Sequence, residues 1–116
     1  MMTRPTIQVR AHSKDVMVLL QVLYGIEEEG IPVELINSKG HDPIQESYQG
    51  AMESPLLVGV GVMNDQIVVH YRNLPRNSPL FQVERASTKN VETLRTLGSN
   101  AARLVKGVPF KDKEME

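Results

Sequence analysis

Apolar and polar residues alternate over 6–10 (TIQVR), with Ile7 and Val9 on one side, which predicts a short strand. Val16, Leu19, Leu20, Leu23 and Ile26 then recur at three- and four-residue steps, the signature of one helix face. Ser13 is placed to cap that helix and Asp15 to sit in its first turn, while Gly30 and Pro32 end it. The spacing predicts a helix over 14–29. Met17, Val18, Val22 and Tyr24 widen its apolar surface, so it is expected to be buried on more than one side.

A second strand follows at 32–36 (PVELI), then a polar loop over 37–43 and a shorter helix over 44–53 with Pro43 near its start. Residues 56–62 (LLVGVGV) form a nearly continuous apolar run, the pattern of a strand covered on both faces. Asn64 and Asp65 mark a turn, and 66–71 (QIVVHY) alternates again, so the two runs read as a hairpin. A Pro/Asn/Ser loop over 72–79 leads to a weaker strand at 80–84. Val91, Leu94, Leu97, Ala101, Leu104 and Val105 give the last helical face. Gly98 interrupts it, leaving either one helix with a closely packed glycine or two short helices, and Gly107 with Pro109 ends it. The order β-α-β-α-β-β-β-α predicts a mixed sheet with helices on both faces, parallel in its early strands and reversed once by the hairpin. One domain over 1–116 is expected, with an ordered core at about 6–110 and a charged tail at 111–116 (KDKEME).

Composition narrows the function. The 116 residues carry a net charge of −1 and 4% aromatics without Trp, which argues against a nucleic-acid groove or base-stacking platform. With no Cys, disulfides, thiolate metal sites and a Cys nucleophile are excluded, and a reducing cytoplasm is the expected location. No run approaches the length of about 18 apolar residues that a membrane span needs. Residues 1–10 have no apolar stretch of the signal-peptide kind. The charge is unevenly placed. Residues 1–58 hold four Lys/Arg against eight Asp/Glu, and residues 59–116 hold nine against six. Complementary surfaces would use such a split, although scattered solvated charges explain it more simply.

Four sets of residues could carry chemistry. Glu27, Glu28 and Glu29 place three carboxylates at the negative pole of a helix, where the macrodipole and mutual repulsion both oppose them. Solvation relieves this, and so does a hard cation such as Mg²⁺ or Ca²⁺, whose shell a partner would have to complete. From composition alone the solvated helix end is the simpler reading. Gly59-Val60-Gly61 lacks the third glycine of a dinucleotide loop and lies inside a strand, so close approach of a covering helix explains it better. No P-loop is present. His12, His41 and His70 are too dispersed for a metal motif; His41-Asp42 beside Ser38 could form an acid–base pair, but a solvated loop histidine is the plainer reading. The segment 70–75 (HYRNLP) mixes cationic, aromatic and amide groups as recognition loops do, and as plain surface connections do. No complete catalytic set is visible, which favours a binding or structural subunit.

Four segments in this order and spacing add to that reading: GIEEEGIP at 25–32, SPLLVG at 54–59, VHYRNLP at 69–75 and NAARLVKGVPF at 100–110. Together they resemble the small (β) subunit of glycerol/diol dehydratase reactivating factors, over about residues 6–112, with the glycerol branch the nearer. The resemblance implies a three-layer α/β/α sandwich whose five-stranded mixed sheet runs 2-1-3-4-5 with strand 4 antiparallel, the fold of the dehydratase's own β subunit. It implies a non-catalytic subunit paired with a large chaperone-like subunit as an α2β2 heterotetramer. In that complex the large subunit alone binds ATP or ADP and hydrolyses ATP. The complex frees damaged cobalamin from inactivated dehydratase, the small subunit taking the place of the dehydratase β subunit on its α subunit. It further implies that Glu28 helps coordinate a divalent cation at the junction with the large subunit, with Glu27 and Glu29 solvated or supporting. A structural β-type subunit of a cobalamin-dependent dehydratase is the alternative.

Overall fold

In the computed structural model, residues 4–111 are described. Strand β1 (Ile7–Ala11) leads through a 3-10 turn (Ser13–Asp15) into helix α1 (Val16–Glu28). Strand β2 (Val33–Asn37), helix α2 (Pro43–Glu53), the hairpin β3 (Val58–Met63) and β4 (Gln66–Tyr71), and the short β5 (Phe81–Val83) follow. A second 3-10 turn (Ala86–Thr88) precedes helix α3 (Val91–Lys106). The sheet order is β2-β1-β3-β4-β5; β1 runs parallel to β2 and β3, and β4 runs antiparallel to β3 and β5. This is the mixed sheet expected, with its single reversed strand.

Strand alternation assigns the two faces. Ile7 and Val9 of β1, Val58, Val60 and Val62 of β3, and Ile67 and Val69 of β4 enter one core, beneath α1 and α3. Gln8, Arg10, Gly59, Gly61 and His70 lie on the opposite side, against α2. All six residues of β3 are buried, as the apolar run predicts for a strand covered on both faces.

Glycines set the distances between layers. A Cβ on Gly59 would stand 2.2 Å from the Ser47 carbonyl oxygen, so α2 rests directly on the strand. On the other side, a Cβ on Gly98 would stand 2.0 Å from the Val22 carbonyl oxygen. The helix therefore continues through Gly98 as one element and packs against α1 at that point.

Boundaries moved where local chemistry outweighed periodicity. The predicted helix 14–29 begins at Val16, because Ser13–Asp15 form the 3-10 turn; Asp15 is its N-cap residue but makes no side-chain cap bond. Instead, Asp15 Oδ1 accepts the Asp65 N–H at 3.2 Å. Helix α2 starts at Pro43, where the Asp42 carboxylate accepts from the Ile44 and Gln45 N–H groups. Strand β3 starts at 58, not 56, since Leu57 adopts a left-handed φ of 67° within a turn. Asn64 and Asp65 have φ of 53° and 57°, the left-handed pair that a tight hairpin turn needs. Of the tail at 111–116, only Lys111 is among the described residues.

Candidate functional site

The three glutamates divide sharply once the chain is folded. Glu29, expected to be solvated or supporting, is neither free nor exposed: its side chain is only 9% accessible. Lys106 Nζ donates to Glu29 Oε1 at 2.8 Å and to the Glu29 main-chain carbonyl at 3.1 Å, and Arg103 Nε donates to Oε2 at 3.0 Å. The hydrogen bond from Lys106 and the charge of Arg103 outweigh desolvation and hold the Glu29 carboxyl down at about 2. The negative pole of α1 is thus neutralised by the last turn of α3.

Glu28 points elsewhere. Its side chain is about half exposed, and among the described residues its ionic neighbour is Lys111, whose Nζ lies 3.9 Å from Oε1. With Glu27, Tyr24 and Arg95 it lines a shallow cleft of about 360 Å³. Arg95 is fixed there by Gln21, whose Oε1 accepts from Nε at 2.9 Å, and by the Tyr24 ring, 5.5 Å from the guanidinium carbon.

Hard carboxylate oxygens suit Mg²⁺ or Ca²⁺, and those of Glu27 and Glu28 line this cleft together with Arg95. The chain does not offer a closed cage: among the described residues no group of three or more His, Asp or Glu side chains is arranged to hold a metal. A cation bound here would therefore need most of its ligands from outside the chain.

The histidines are not brought together as a catalytic set. His12 and His41 stack at 5.8 Å, and His12 Nε2 donates to the Gly40 carbonyl at 3.1 Å. Asp42 is engaged in capping α2, and Ser38 Oγ donates to Glu46 at 2.6 Å, so neither serves His41. His70 is fully buried: its Nδ1 accepts the Tyr71 N–H at 3.0 Å and its Nε2 donates to the Arg76 carbonyl at 2.9 Å. It fixes the loop after β4. Arg72 caps the C-terminus of α2, donating to the carbonyls of Ala51, Met52 and Ser54 at 3.3, 2.6 and 3.1 Å. The 70–75 segment is thus tied to the fold through the His70 ring and the Arg72 guanidinium.

Sequence reasoning missed a polar network under α2. Arg10 Nε donates to Glu46 Oε1 at 2.8 Å, Arg10 to Gln8 Oε1 at 2.9 Å, and Gln8 Nε2 to Glu34 and Glu53 at 3.2 Å each. Burial pushes the Glu46 carboxyl up, but the hydrogen bonds from Ser38 and Arg10 more than reverse this and hold it below the usual carboxylate range. It also missed Arg103 and Lys106 as partners of Glu29. Their three-residue spacing in a last helical turn was the available signal.

Comparison with known proteins places this geometry. The dehydratase medium subunit family model matches residues 4–111. The chain is 43% identical over 111 residues to the propanediol dehydratase-reactivating factor small subunit of Citrobacter freundii, covering 96% of this chain and 94% of that one. It is 47% identical over 92 residues to the protein of the same description from Salmonella typhimurium, covering 79% and 78%. Identity to a probable glycerol dehydratase-reactivating factor small subunit of Citrobacter freundii is 32%, over 96% of this chain and 97% of that one. The likeness thus runs higher toward the propanediol branch than toward the glycerol branch expected from the motifs. A solved structure of diol dehydratase-reactivating factor complexed with ADP and Mg²⁺ superposes with a TM-score of 0.88 at 40% identity, covering 95% of this chain and all of that one. The chain belongs to the dehydratase medium subunit family and, within it, to the small subunits of dehydratase-reactivating factors.

Proposed function

We propose that this chain is the non-catalytic small subunit of an ATP-dependent, chaperone-like reactivase that frees damaged cobalamin from an inactivated diol or glycerol dehydratase. The observation that carries this reading is likeness over 95–96% of the chain, in sequence to the small subunit of a reactivating factor and in fold to a solved reactivating factor. ATP binding and hydrolysis fall to the large subunit of an α2β2 assembly in the cytoplasm.

The chain's own part is docking. Its glycine-spaced layers and capped helices form a rigid platform, and a platform of the dehydratase β-subunit fold can replace that subunit on the dehydratase α subunit. Replacement does work only if the affinities differ between nucleotide states of the large partner. Glu28, at the exposed end of α1, would hold a divalent cation shared with the large subunit. That ion would add positive charge beside the Glu27 and Glu28 carboxylates, which the Lys106 and Arg103 contacts to Glu29 do not reach. The Mg²⁺ named with the related structure is of the chemical class that carboxylates bind.

The test is recovery of activity. Inactivated dehydratase is incubated with fresh adenosylcobalamin, ATP and the large subunit, with and without this chain. Recovery that depends on the chain is expected; recovery without it overturns the reading. The family description, dehydratase medium subunit, favours one second reading, a structural subunit of a dehydratase itself. Stable co-purification with a cobalamin enzyme, and no association with an ATPase, would select it.

A further inference from the structure

After α3 the chain turns back and is strapped to the acidic end of α1. Gly107, at a left-handed φ of 70°, makes the turn. Hydrogen bonds then fix the path. The Val108 N–H donates to the Arg103 carbonyl at 3.2 Å, Arg103 Nη1 to the Pro109 carbonyl at 3.0 Å, and the Lys111 N–H to Oδ1 of the buried Asn100 at 2.6 Å. The Phe110 ring packs edge-on to Phe81 at 5.2 Å. The main chain of Lys111 is thus anchored, and its side chain is set beside α1.

The Lys111 ammonium itself is held loosely. Nζ lies 3.9 Å from Glu28 Oε1 and 4.0 Å from Glu29 Oε2, too far for a hydrogen bond to either. Glu29 does not depend on it, since Lys106 and Arg103 already bond both of its oxygens. Glu28 has Lys111 as its ionic neighbour among the described residues. A fixed backbone carrying an unbonded charge on a flexible stem makes a counter-ion that can leave. A metal ion on the Glu28 carboxylate and an ammonium beside it repel each other, so one must give way. In the free chain the ammonium keeps the place, because the chain offers too few ligands to replace the water of a hard ion. The adjoining cleft, about 390 Å³ and lined by Glu28, Glu92, Arg95, Thr96 and Lys111, gives the ammonium room to withdraw toward a second carboxylate, Glu92.

We infer that residues 107–111 are a strap carrying a built-in counter-ion: Lys111 occupies the Glu28 carboxylate in the free chain and yields it to a divalent cation when the large subunit adds its ligands. This rests on the small-subunit reading above, with Glu28 as a ligand, and adds a gate to it. Lys111 raises the cation concentration that assembly requires, so the ion enters the complex and not the free chain.

The experiment titrates Mg²⁺ into this chain mixed with the purified large subunit and follows association by sedimentation. Lys111→Met removes the charge of an exposed side chain, so thermal unfolding should match wild type. The Mg²⁺ concentration for half-maximal association should fall about twofold to fivefold, the range an exposed ion pair allows. Lys111→Arg should keep the wild-type midpoint. With Glu28→Ala already present, Lys111→Met should leave association unchanged at every Mg²⁺ concentration, because the carboxylate it competes for is gone. An unchanged or raised midpoint for Lys111→Met, or an equal gain in the Glu28→Ala background, overturns the gate and leaves the small-subunit reading standing. Wild-type association that is indifferent to Mg²⁺ overturns both the gate and the ion on Glu28. No wild-type association at all overturns the small-subunit reading with them.

Discussion

Lys106 reaches 77 residues back along the chain to hold Glu29 twice, by its carboxylate at 2.8 Å and by its main-chain carbonyl at 3.1 Å. One ammonium thereby caps the C-terminus of α1 and neutralises the carboxylate that would otherwise oppose the helix dipole. The division of charge between an acidic front and a basic rear half is in part internal. The basic end of α3 is bound to the acidic end of α1 within the same molecule.

Glu29→Gln should lower stability by about 1 to 2 kcal/mol, since the amide has one acceptor oxygen for the two donors Lys106 and Arg103 and no negative charge to pair with them, in a partly screened site. The same contacts make stability depend on acid. The folded carboxyl sits at about 2, against an ordinary value of 4.5, so its contribution is fully present above 4.5 and is lost as pH falls toward 2. Urea unfolding at pH 7 and pH 3 measures both effects. The difference between wild type and Glu29→Gln should shrink at the lower pH, and an unchanged difference would show that the ion pairs contribute nothing.

Gly98→Ala should cost about 2 to 3 kcal/mol, and lower the melting temperature by roughly 10 °C, because the new methyl meets the Val22 carbonyl oxygen and α1 must move away. Helix propensity alone predicts the opposite sign, a gain of up to about 1 kcal/mol. Calorimetric unfolding therefore separates the two: a stabilised Gly98→Ala protein would mean that the helices do not touch there.

How far the sequence could be read follows from the range of each interaction. Alternation in β1 and β4, the Asn64-Asp65 turn and the closely covered Gly59-Val60-Gly61 run are local signals, and each is found as expected. Glu29 was misplaced because its partners lie on α3, and no helical spacing brings residues 74 apart together. The irregular loop around Arg72 read equally as a recognition loop and as a plain surface connection. Only the folded chain shows the free carbonyls at the end of α2 that it satisfies. The outer face of α1 carries the reverse lesson. Its apolar pattern was legible, yet Met17 and Tyr24 stay exposed while Val18, Val22 and Ile26 are buried.

Arg10→Met should destabilise by about 2 kcal/mol, because it leaves the Glu46 carboxylate partly buried, with Ser38 as its remaining hydrogen-bond donor. Glu46→Gln should cost less, since Arg10 keeps Glu53 at 3.7 Å and Gln8 at 2.9 Å as partners and the amide oxygen can still accept from it. The double variant should cost less than the sum of the two, by about 1 kcal/mol, as expected for residues in direct contact. A double-mutant cycle in denaturant tests this; strict additivity would show that Arg10 and Glu46 act independently.

Glu28→Ala should leave the isolated chain as stable as wild type, or more stable by a few tenths of a kcal/mol, since it removes a negative charge from the negative end of α1. Its effect should appear only on assembly. With Mg²⁺ present, sedimentation of the mixture with the large subunit should show about tenfold weaker association for Glu28→Ala than for wild type, the order expected when a metal ligand is removed. Chelation should weaken the wild-type complex to the same level and leave the Glu28→Ala complex unchanged, because both treatments break the same link. Equal assembly of the two proteins, each still sensitive to chelator, would place the ion on other residues and leave Glu28 a solvated carboxylate beside Lys111.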